Sequence, residues 1–70
     1  MDQYISSEYP NLIFSTVEAA KSFAEKLDFE EYNVVEYLYL TNDETETKFI
    51  GYAIITNGRL FQWMPTVYLQ

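Results

Sequence analysis

Carboxylates are the side chains with most capacity for chemistry in this sequence, and they are unevenly placed. Residues 27–47 hold Asp28, Glu30, Glu31, Glu36, Asp43, Glu44 and Glu46 and not one Lys or Arg, so no local ion pair neutralises them. Adjacent like charges cost stability, and such a run is either a solvated surface or a negative field offered to a basic partner. Duplex DNA carries one negative charge per roughly 1.7 Å of axis. Carboxylates two residues apart on a strand, or adjacent in an extended turn, stand about 4–7 Å apart, comparable with phosphates along a strand. The pattern fits a decoy for a basic DNA-binding surface, with Tyr32, Tyr37 and Tyr39 between the acids as an apolar centre.

Other chemistries lack their residues. The chain has no cysteine and no histidine, so Ser6, Ser7, Ser15 and Ser22 have no imidazole to activate them. Acid–base work by paired carboxylates needs a deep cleft, which a domain this small can scarcely enclose, so the expectation is a protein that is not an enzyme. The oxygen-rich stretch 42–46 lacks the central glycine and spaced ligands of a calcium loop and reads as a solvated hairpin loop, so no metal is expected. With glycine only at 51 and 58 there is no phosphate-cradling loop, and no cofactor is expected.

The elements that must position the acids follow from periodicity. Val17, Ala20, Phe23, Ala24 and Leu27 form one apolar stripe and predict a helix over about 16–27, with Ser15 as N-cap and Glu18 completing a capping box. Strands are expected over about 32–41, 47–56 and 59–64, with a short one near 12–14 and Asn57-Gly58 as a two-residue hairpin turn. The fold class is α+β: one helix packed on an antiparallel meander of three or four strands, in a single domain spanning 1–70.

A register set from Asn57-Gly58 places Ile54 opposite Phe61 and Tyr52 opposite Trp63. If Leu40 lies opposite Phe49, Tyr37 and Tyr39 join that face, and Gly51 and Ala53 leave room for the helix on the other. The uncovered face then shows Tyr37, Tyr39, Tyr52, Ile54, Phe61 and Trp63, a surface for self-association as a homodimer. The competing arrangement folds the N-terminal segment over it, with Tyr4, Ile5 and Tyr9 as a lid. A one-residue slip in the longer loop would redistribute these side chains.

A chain of 70 residues with a net charge of −7 buries a thin core, and that charge repels nucleic acid and anionic lipid while attracting basic proteins. Residues 1–10 do not read as a signal peptide, and no stretch approaches the roughly 18 apolar residues of a membrane span, so the expected location is the cytoplasm. The absence of Cys and His, the opening Met1-Asp2-Gln3-Tyr4, and the stretches Asp28-Phe29-Glu30-Glu31-Tyr32 and Asn42-Asp43-Glu44-Thr45-Glu46 resemble the small acidic host-takeover proteins of lytic phages. That group includes an inhibitor of the nucleoid protein HU from a Bacillus phage. The resemblance implies a DNA mimic in the host cytoplasm whose carboxylates occupy the DNA site of a basic protein such as HU. The alternative is a homodimeric interaction protein that inhibits another host factor, RNA polymerase for example, through its aromatic sheet face.

Overall fold

The computed structural model describes residues 1–41, 43 and 45–62. Helix α1 (Val17–Lys26) is capped by Thr16, whose extended backbone lets Oγ1 accept from the Ala19 N–H at 3.0 Å. The cap is one residue later than the expected Ser15. Glu18 therefore falls one position short of the site from which a side chain reaches back, and the capping box does not form. At the other end Asp28 adopts φ 58°, its N–H bonding Glu25 C=O at 3.1 Å while the Phe29 N–H bonds Ala24 C=O at 3.1 Å. This pair of bonds is a Schellman stop, with aspartate where glycine is usual. Among the described residues no helix is long and apolar enough to cross a membrane.

The fold is α+β, as the periodicities predict, but its sheet is mixed. Strands β1 (Gln3–Ser6), β2 (Asn33–Leu40), β3 (Thr47–Thr56) and β4 (Arg59–Phe61) lie in that order, β1 parallel to β2 and the other pairs antiparallel. A parallel pair needs a crossover, which residues 7–32 supply. Four residues of Gln-Tyr-Ile-Ser are too short to announce a strand by alternation. Where a strand was expected near 12–14, only Phe14 pairs, exchanging bonds of 2.9 and 2.8 Å with Tyr52. Phe14 thus stands where the predicted hairpin would have put Trp63, a residue outside those described. Gln62 secures this segment by accepting from the Asn11 and Leu12 N–H groups and donating to Leu12 C=O.

The turn at Asn57 and Gly58 has positive φ at both residues, as expected. The β2–β3 register differs from expectation by one residue up to Tyr37, which stands opposite Gly51, and by two beyond a bulge between Tyr37 and Leu38, where Leu38 and not Leu40 stands opposite Phe49. The faces exchange partners accordingly. Ala20 and Ala24 of α1 pack on Ile54 with Val34, Phe61, Phe14 and Phe29, so the helix covers the face predicted to be bare. The opposite face buries Val35, Tyr37 and Ala53 against Tyr4, Ile13, Ile50, Ile55 and Leu60.

That second face is closed by the N-terminal segment. Tyr37 Oη donates to Glu8 C=O at 2.6 Å, Tyr9 meets Tyr39 edge-on at 5.7 Å, and Ile13 and Phe14 cross directly over Gly51. Tyr4 packs on Tyr37 at 5.4 Å, whereas Ile5 points to the helix side, level with Leu38. Gly51 therefore leaves room for the strap and not for the helix. A Cβ there would stand 2.6 Å from Ile13 Cγ1 and 2.7 Å from the Phe14 carbonyl oxygen, at a φ of 151° that L-residues avoid. Gly51→Ala is expected to lower stability by about 3 kcal/mol, read as a lower urea midpoint, whereas Gly58→Ala meets open space and costs only its turn geometry.

Candidate functional site

The structure divides the six described candidate acids into three groups along β2. Asp28, Glu30 and Glu31 gather where α1 stops and β2 begins. Glu36 stands within β2 on the helix-side face, and Asp43 and Glu46 lie in the β2–β3 loop. Glu44 lies outside the described residues. Eight strand residues separate the outer groups, about 25 Å at the usual rise. The expected phosphate-like spacing of consecutive strand carboxylates is therefore not realised among the described acids, of which only Glu36 lies on a strand.

The groups differ in what their carboxylates already do. Glu36 Oε1 accepts from Gln3 Nε2 at 3.2 Å. Asp43 Oδ1 accepts from Thr41 Oγ1 at 2.6 Å and from the Thr45 N–H at 3.3 Å, an arrangement that shapes the loop. The Thr41 hydroxyl, followed by the Thr45 side chain and backbone, holds the Asp43 carboxyl below the usual carboxylate value. Those two acids serve the fold first.

The group at the helix stop is different. Asp28, Glu30 and Glu31 are exposed and rim an open depression of about 380 Å3 completed by Phe29, Thr56 and Asn57. An adjoining hollow is lined by Glu25, Asp28, Phe29 and Glu30. Thr56 Oγ1 donates to Glu31 C=O at 2.8 Å and fixes this loop to the end of β3. Phe29 is half-buried and meets Phe61 edge-on at 5.1 Å, so the acids stand on a packed floor. The negative end of the α1 dipole emerges here and adds to the field. Among the described residues none of these carboxylates is in an ion pair with Lys21, Lys26, Lys48 or Arg59. No group of three or more Asp or Glu among the described residues could hold a metal ion.

Sequence reasoning missed Glu25. The signal was present, because Glu25 and Asp28 are three residues apart and a helix carried to its stop puts them side by side. Lys26 between them made the acidic run seem to begin later. Glu25 Oε2 lies 3.5 Å from Tyr32 Oη, the limit of a hydrogen bond.

Of the six residues expected to form a self-association face, the five that are described are not brought together. Tyr37 is 1% exposed and Tyr39 shares its side of the sheet, whereas Tyr52 and Phe61 lie on the helix side, Phe61 within the core around Ala20 and Ile54. Trp63 is outside the described residues. The register slip separates them, since moving one strand by one residue carries its side chains to the other face. No protein-family model, curated protein or solved structure matches this chain.

Two outcomes follow from the acids' local roles. Asp28 occupies a left-handed position at the negative end of a helix, so Asp28→Gly is expected to stabilise the protein by about 1 kcal/mol in urea unfolding. A carboxyl-detected NMR titration is expected to place Asp43 below the usual carboxylate value, and Thr41→Val to move it upward. Because the folded value is the depressed one, the loop's stabilisation by Asp43 is complete above the ordinary carboxylate value. It is lost as pH falls through the lower, folded value.

Proposed function

We propose that this chain is an acidic inhibitor of the DNA-mimic type, which occupies the basic DNA-binding surface of a host protein such as HU and displaces DNA without catalysing a reaction. The observation that carries the reading is the group Glu25, Asp28, Glu30 and Glu31. These carboxylates are exposed, lack Lys or Arg partners among the described residues, and stand on a floor fixed by Phe29 and Thr56. A rigid floor limits the side-chain and loop ordering lost on binding, and an open rim lets Lys and Arg side chains reach the acids. Asp28 adds weight to this reading because glycine would be easier to accommodate in its backbone conformation, and a carboxylate at a helix C-terminus opposes the dipole. Glu36 and Glu46 extend the negative field along β2 toward the far loop, over about 25 Å.

Competition measures this directly. With an HU-type protein bound to labelled duplex DNA, adding the chain is expected to release DNA. Affinity for the protein should fall by about tenfold or more between 50 and 200 mM salt as neutralised charges regain their counterions. Replacing Asp28, Glu30 and Glu31 together by Asn, Gln and Gln is expected to weaken binding by a comparable factor. Salt-insensitive binding, unchanged affinity after those replacements, or DNA and inhibitor bound side by side would each refute the mimic reading.

A further inference from the structure

We propose that the outer edge of β1 is a docking site for an extended, basic segment of a partner protein, which joins the sheet as an additional strand. The Glu36 N–H donates to Asp2 C=O at 3.0 Å, and Gln3 stands level with Glu36. In a parallel ladder the backbone groups alternate in direction, so Asp2, Tyr4 and Ser6 face β2 whereas Gln3 and Ile5 present their N–H and C=O groups outward. β1 is the outermost strand, and those groups have no partner among the described residues. Natural edges are commonly blocked by Lys, Pro or a bulge, and Gln3-Tyr4-Ile5-Ser6 carries none of these.

Side chains beside the edge define the ligand. Ile5, Leu38 and Phe49 form one row across the helix-side face, and Ile5 and Phe49 are 54% and 50% exposed. An apolar side chain on the incoming strand would extend this row against Ile5. Charge selects its neighbours: residues 1–20 and β2 contain no Lys or Arg, while Asp2, Glu8 and Glu36 lie on or beside β1. A second copy would bring its own charge of −7 and an edge without a basic side chain, so a segment alternating apolar and basic residues complements the edge better. This inference stands apart from the acidic rim at Asp28, Glu30 and Glu31, which lies off β1.

The test is an NMR titration of the isotopically labelled full chain with a short, end-blocked peptide of alternating valine and lysine. The Gln3 and Ile5 amides are expected to shift and to gain protection from hydrogen exchange. Ile5→Lys, which repels the peptide without disturbing the β1–β2 bonds, should weaken binding by about tenfold or more. Ile5→Pro removes one outward N–H and serves as the second variant should Ile5→Lys perturb the fold. Replacing Asp28, Glu30 and Glu31 should leave the β1 shifts in place, so failure at this edge and failure at the acidic rim give different results. Shifts confined to residues 25–31, equal binding of a valine–glutamate peptide, or binding unchanged by both Ile5 variants would overturn the proposal. So would sedimentation showing a dimer whose β1 amides are already protected without peptide.

Discussion

Gly51 is where the N-terminal segment lies directly against the sheet, and the rest of the arrangement depends on that contact. Ile13 and the Phe14 carbonyl cross the sheet over the one β3 residue that has no Cβ, beside a bulge that re-aims the strand. With the crossing in place, Phe14 exchanges two bonds with Tyr52, and the chain reaches α1 from the far side of the sheet. The N-terminal strap and the helix consequently close opposite faces. A thin core of small and aromatic side chains is shielded on both sides without a disulfide, since the chain has no cysteine.

The same arrangement determines where charge is displayed. Because α1 packs on Ile54 and Phe61, its C-terminal turn ends beside the start of β2, and Glu25 joins Asp28, Glu30 and Glu31 around one depression. The far loop spends Asp43 on its own hydrogen bonds. Local geometry rather than net charge thus distinguishes the exposed acids at the helix stop from Asp43 in the far loop.

The helix, the Asn57-Gly58 turn and the three antiparallel strands were legible in the sequence because each rests on local signals: an apolar stripe, a positive-φ dipeptide and β-branched runs. The parallel strand β1 was not, since its pairing with β2 is set by residues more than thirty positions away and its four residues carry no period. The sheet faces were misjudged for a related reason. The β2–β3 loop does not dictate register as a two-residue turn does, and the bulge shifts it again between Tyr37 and Leu38. Clustering of Asp28, Glu30 and Glu31 was visible from their adjacency. The separation of Asp43 and Glu36 into structural roles depended on Thr41, Thr45 and Gln3, which no charge count would single out.

The parallel placement of β1 also orders events during synthesis. Residues 3–14 are synthesised before their partners in β2, β3 and at Gln62. The β3–β4 hairpin closes through a two-residue turn and can assemble as soon as it emerges, while the strap must wait for a finished surface to lie across. The strap is thus secured only after the strands it covers have been made, and until then the Tyr37 side of the sheet is bare and open to chaperones or to neighbouring chains.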